Sequence, residues 1–113
     1  MDFRRLDMIA ETEQEKANLL EFFFKTTDDI LAEMKDALKE QSASHWKEAA
    51  HKLRGGAANI GMALLEKLCL DSEKIPFDSP SDADVMLKRL ENETLRVKAY
   101  IAEKAPFLLT PGA

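Results

Sequence analysis

The chain has 113 residues, 21 of them acidic and 16 basic, for a net charge of −5, with 45% hydrophobic residues and a single cysteine. That length makes one domain, residues 1–113, large enough to bury a core but too small to hold a kinase catalytic domain as well. The acidic balance argues against nucleic acid as the main partner, and Cys69 alone forms no internal disulfide.

From the N-terminus, Met1-Asp2-Phe3-Arg4-Arg5 lacks the apolar core of a signal peptide, and no later stretch approaches the length of a membrane span. With Cys69 in an apolar helical pattern, these features place the expected chain in the cytoplasm with a buried, reduced thiol. Phe3, Leu6 and Ile9 predict a short first helix over residues 1–10. Thr12 followed by Glu15 reads as a capping box. The long second helix it opens carries Leu20, Phe23, Thr27, Leu31, Met34 and Leu38 on one stripe and runs to about Glu40. The three rings of Phe22-Phe23-Phe24 cannot share one face, so one packs elsewhere, on the first helix or on an exposed patch.

Ser44 is the expected N-cap of the next helix, whose stripe is Trp46, Ala50, Leu53, Ala57 and Ile60. Gly61 marks a break. Met62 to Lys74 continues as helix with Leu65, Leu68 and Cys69, and Pro76 prevents much extension. Ser79-Pro80 reads as loop, and Ser81 with Asp84 as another helix start. Leu87, Leu90, Thr94, Val97 and Ile101 form the last stripe, Pro106 ends it, and Phe107 to Ala113 form a tail. Connections this short make neighbouring helices antiparallel, giving an all-α, up-and-down four-helix bundle with a short extra N-terminal helix.

His51 stands off the apolar stripe of its helix. At a helical step of roughly 100° its neighbours are Lys47, Arg54, Gly55 and Ala58, so a histidine is flanked by positive charge and bare backbone. Paired glycines within a helix cost about 1 kcal/mol each relative to alanine, which calls for a reason. Gly55, one turn beyond His51, removes the side chain that would crowd the imidazole, and Gly56 projects toward the stripe and permits close helix packing. A helix C-cap at Gly55-Gly56 is the competing reading, but the stripe continues without a phase change through Ala57 and Ile60, and Gly61 is the better stop.

The run Ala50-His51-Lys52-Leu53-Arg54-Gly55-Gly56-Ala57, with Gly61 beyond it, resembles the signature of histidine-containing phosphotransfer (HPt) domains. That signature has alanine, histidine, any residue, leucine, lysine or arginine, glycine, a small residue, alanine and a later glycine. Many members carry lysine at the position of Arg54 and serine at that of Gly56, departures that preserve the charge and the clearance. Glu73 falls where the family commonly has glutamine or glutamate near the histidine.

The resemblance implies a phosphocarrier without ATP-binding machinery. His51 would take a phosphoryl group from an aspartyl phosphate of a receiver domain and pass it to another. The partners implied are receiver domains of response regulators and of a hybrid sensor histidine kinase. Magnesium is expected on the receiver, and no cofactor on this chain. Arg54 is assigned to phosphoryl charge, with Lys47 and Lys52 as lesser candidates whose alternative is an ordinary solvated lysine. Glu73 is assigned to the inner ring nitrogen, provided its helix folds back beside His51; the alternative is an exposed helix-end glutamate.

His45 and His51 lie six residues apart on different helix faces, and no metal site is expected. A monomer is expected, and Met1 with the compact length favours a free-standing protein. A helical adaptor binding a signalling partner through an apolar patch, without phosphate, is the alternative function. A structural dimerisation bundle is a third.

Overall fold

The computed structural model describes residues 3–77 and 80–109, which fold into α1 (Phe3–Ile9), α2 (Glu13–Glu40), α3 (Ala43–Asn59), α4 (Ala63–Glu73), α5 (Pro80–Lys104) and a closing 3-10 turn (Pro106–Leu109). Thr12 starts α2 by accepting a hydrogen bond on its side chain from the Glu15 amide at 3.0 Å. The Glu15 carboxylate returns to the amide of Glu11 at 3.1 Å, so orphan donors on both sides of the cap are satisfied.

Cross-contacts set the helix directions. Phe23 of α2 abuts Gly56 of α3, while Glu33, farther along α2, pairs at 2.8 Å with Lys52, which lies earlier in α3. Those two helices are therefore antiparallel. On its other flank α2 meets α5 in the same sense: Lys98 lies 5.0 Å over the Phe24 ring, and Lys35 pairs with Glu91 at 3.5 Å. Helix α4 packs against α3 and α5 and completes the four-helix arrangement.

Burial explains why each helix forms where it does. Leu20, Phe23, Thr27, Leu31 and Met34 of α2 are buried, as are Trp46, Ala50, Leu53, Ala57 and Ile60 on and just after α3. Leu65 and Cys69 of α4 and Leu87, Leu90, Thr94, Val97 and Ile101 of α5 meet them in the core. An isolated helix gains little from propensity in water, and burial of these stripes supplies the stabilisation. Of the phenylalanine triplet, Phe23 and Phe24 enter the core edge to face at 5.5 Å, and Phe22 is left 70% exposed.

Several boundaries differ from the sequence reading. Ser42 caps α3, accepting from the His45 amide at 3.2 Å, and Ser44 lies in the first turn. The cause is Gln41, whose left-handed φ of 55° ends α2 so tightly that α3 begins immediately afterwards. Leu38 is only half-buried, and Ile9 is exposed while Ala10 is buried in its place. Helix α5 begins at Pro80, one residue before the expected start, because the fixed φ of proline suits a first helical turn. Ser79 and residues 110–113 lie outside the described residues. Phe107 to Leu109 are a 3-10 turn rather than a tail, with Leu108 buried against α2 and α5.

Trp46 is the largest fully buried side chain, and its indole N–H donates to the Ser72 carbonyl at 2.8 Å. Trp46→Phe removes that bond and part of the buried indole's volume, while the Ser72 carbonyl keeps its 3.3 Å bond from the Ile75 amide. We expect a loss of about 1–3 kcal/mol in urea unfolding with the helix content of the folded state unchanged.

Candidate functional site

The site begins with the phase of α3. Ala50 and Leu53 are buried, so the backbone is fixed at both, and His51 between them turns outward with 65% of its side chain exposed. At the end of α3, Gly61 adopts φ 77°, a conformation in which a β-carbon would be strained. The Met62 amide bonds to the Ala57 carbonyl at 2.9 Å and the Gly61 amide to the Ala58 carbonyl at 3.3 Å. This pair of bonds closes the helix and reverses the chain, sending α4 back along α3.

The Trp46 to Ser72 bond then fixes the far end of α4, and the next residue is Glu73. One carboxylate oxygen of Glu73, Oε1, lies 3.1 Å from Nδ1 of His51. Nη2 of Arg54 lies 2.8 Å from the same nitrogen, and Nε of Arg54 is 3.4 Å from Oε2 of Glu73. A cation, an anion and an imidazole thus share one corner, while Nε2 of the ring faces outward without a partner among the described residues. Arg54 and Glu73 are mostly shielded, with 31% and 20% of their side chains exposed, so their attraction is less screened than that of a surface pair.

The remaining sequence candidates divide. Lys52 reaches away from the ring and pairs with Glu33 of α2 at 2.8 Å. Lys47, one turn before His51, is exposed and has no ion-pair partner among the described residues. A β-carbon on Gly55 would meet nothing within 4 Å, so the open space beside His51 faces outward. A β-carbon on Gly56 would lie 3.3 Å from Cε1 of Phe23, so this glycine serves the contact between α2 and α3.

Cys69 sits one turn before Glu73 in the core. Burial pushes its thiol up to about 12, with the Glu73 charge adding to the effect and Arg54 opposing it. The thiol is therefore neutral and inert at ordinary pH.

Two participants escape a reading of the sequence. Glu33 diverts Lys52 from across the α2–α3 seam, and the Ser72 carbonyl anchors Trp46 through a backbone atom. A partner 19 positions away and a main-chain acceptor leave no signal in residue type or spacing.

The glycines predict opposite responses. Gly55→Ala should raise stability by up to about 1 kcal/mol through helix propensity alone. Gly56→Leu should lower it, because the added atoms run into the Phe23 ring; urea midpoints for both variants decide this. For Cys69, the folded thiol keeps its proton to about pH 12 while the unfolded one releases it near the ordinary value of 9.0. Stability from this group is accordingly complete below pH 9.0 and falls above it. Unfolding midpoints of wild type should fall more steeply between those limits than those of Cys69→Ala.

A family model described as Hpt domain matches residues 18–100. Among solved structures, the chain is similar to the crystal structure of histidine-containing phosphotransfer protein B (HptB) from Pseudomonas aeruginosa PAO1. The TM-score is 0.76, with 25% sequence identity over 92% of each chain. Curated protein sequences include no match to it. With an all-helical fold and a family match over most of its length, the chain belongs to the histidine-containing phosphotransfer (Hpt) domain family.

Proposed function

We propose that this chain is a phosphorelay intermediate that carries a phosphoryl group on His51 between receiver domains. The observation that carries this reading is the geometry of one ring: Nδ1 held at 3.1 Å by Glu73, and Nε2 outward beside the bare backbone of Gly55. When Glu73 holds the Nδ1 proton, Nε2 carries a free lone pair and is a good nucleophile.

In the forward step the Nε2 lone pair attacks phosphorus of an aspartyl phosphate. The bond from phosphorus to the carboxylate oxygen breaks, and the aspartate leaves with that electron pair. The proton on Nδ1 stays in place, so the ring becomes cationic as the bond forms, and Glu73 faces that charge. Arg54 neutralises phosphoryl oxygens through its planar fork of donors, and Lys47 adds positive charge from the preceding turn. Lys52 contributes least, because Glu33 already engages it.

The receiver supplies the remaining carboxylates and its magnesium ion. The reverse step passes the group to a second receiver, so a hybrid sensor kinase and a response regulator are the natural ends of the relay. A phosphocarrier needs no nucleotide site of its own. The chain acts as one domain and as a monomer, with the His51 face turned to its partner.

Intact mass after incubation with phosphoramidate tests the reading without a guess about partners. Wild type should gain a single acid-labile phosphoryl group and His51→Gln none. His51→Gln should melt as wild type does, since the side chain lies outside the core. No gain by folded wild type would leave a phosphate-free helical adaptor as the better description.

A further inference from the structure

Two groups contact Nδ1 of His51, and valence forbids both from bonding it at once. An arginine guanidinium has donors and no acceptor, and an ionised carboxylate has acceptors and no donor. The nitrogen has a single in-plane site, occupied either by a lone pair or by a hydrogen. The 2.8 Å contact with Nη2 of Arg54 requires the lone pair, and the 3.1 Å contact with Oε1 of Glu73 requires the hydrogen.

We infer that Arg54 and Glu73 compete for Nδ1, and that Arg54 holds the resting ring in its non-nucleophilic tautomer until a phosphoryl anion draws the guanidinium away. The inference rests on the phosphocarrier reading and names a regulation of that same site.

With Arg54 on Nδ1, the neutral ring carries its proton on Nε2. The outward nitrogen then has no in-plane lone pair and cannot attack phosphorus. With Glu73 on Nδ1, the proton sits between ring and carboxylate, and Nε2 is free. Passing from one state to the other moves one proton from Nε2 to water and one from water to Nδ1, so no net proton is consumed. The attack that follows is the step already given.

The structure supplies a hinge for the exchange. Nε of Arg54 lies 3.4 Å from Oε2 of Glu73, so the guanidinium can leave the ring and still be held by the ion pair. Its side chain is 31% exposed, which gives an incoming anion access to it. A phosphoryl group offers charged oxygens that suit the arginine fork better than one imidazole nitrogen does. The other groups near the ring do not take this part: Lys47 contacts no acceptor among the described residues, Lys52 is occupied by Glu33, and Cys69 is a buried thiol behind Glu73. The donor thereby converts the ring to its reactive tautomer on arrival, and the free protein is kept from attacking adventitious electrophiles. Arg54 and Glu73 act here as positioning residues, through the ring.

Long-range proton–nitrogen correlation spectra of the nitrogen-15-labelled protein read the tautomer directly. Spectra are recorded at rising pH up to the plateau at which the ratio of the two ring tautomers no longer changes. His45 serves as an internal control. Wild type should show His51 mainly with its proton on Nε2. Arg54→Leu should raise the proportion protonated on Nδ1 by about tenfold, the effect of losing one charge-assisted hydrogen bond, and Glu73→Ala should lower it. Arg54→Ala replaces the leucine variant if melting shows that leucine disturbs the fold.

An unchanged ratio in a folded Arg54 variant, or a wild-type ring already protonated almost wholly on Nδ1, overturns the inference. The phosphoramidate assay on the same samples separates the two readings. Uptake with an unmoved ratio defeats the tautomer control and leaves the carrier standing. A moved ratio without uptake defeats the carrier and the release step, and leaves the competition for Nδ1 established.

Discussion

The hydrogen bond from the Trp46 indole to the Ser72 carbonyl is the contact on which the rest of the site depends. A fully buried indole needs an acceptor, and here the acceptor is a carbonyl on the last turn of the neighbouring helix. The bond fixes the far end of α4 against α3, as the turn at Gly61 fixes the near end. With both ends held, Glu73 is placed within hydrogen-bond reach of His51. Phe77, packed on Trp46 at 5.6 Å, covers the same joint from beyond the helix.

The site built on that joint has few parts. One exposed imidazole is backed by a carboxylate and a guanidinium, with small residues beside it in place of a pocket. Under the proposed function, in which the partner brings the metal and the leaving group, such a site needs only position, access and charge. The ring nitrogen facing the protein is contacted by two groups of opposite sign, and the nitrogen facing out has no partner among the described residues. On the proposed phosphocarrier reading, the chemistry turns on where a single proton sits on the ring, and Arg54 and Glu73 are the groups placed to set it.

Much of the fold is legible in the residues themselves. The stripe Trp46, Ala50, Leu53, Ala57 and Ile60 is buried in full, as is the stripe Leu87, Leu90, Thr94, Val97 and Ile101 on α5. The limits of α2 follow from Thr12 and from the loss of the stripe near Glu40. The start of α3 was less legible, because two serines stand in the same short segment and either has the chemistry of a cap. The choice of Ser42 follows from the left-handed Gln41, and glutamine carries no signal for that conformation. Ile9 and Leu38 illustrate the same limit at helix ends, where periodicity says which face a residue occupies but not whether anything covers it.

For the site, the sequence by itself determined that His51 lies off the core stripe with Arg54 one turn away and no side chain at Gly55, since these relations are internal to one helix and follow from its period. It also determined that Gly56 lies toward the packed face. Only the tertiary structure decided that Glu73 reaches the ring, that Lys52 is drawn off by Glu33, and that Arg54 meets Nδ1 as well as Glu73. The reason is physical: contacts between helices depend on the turn at Gly61, the angle at which α4 returns and the rotamers that packing allows. None of these is encoded in the spacing of residues along a single helix.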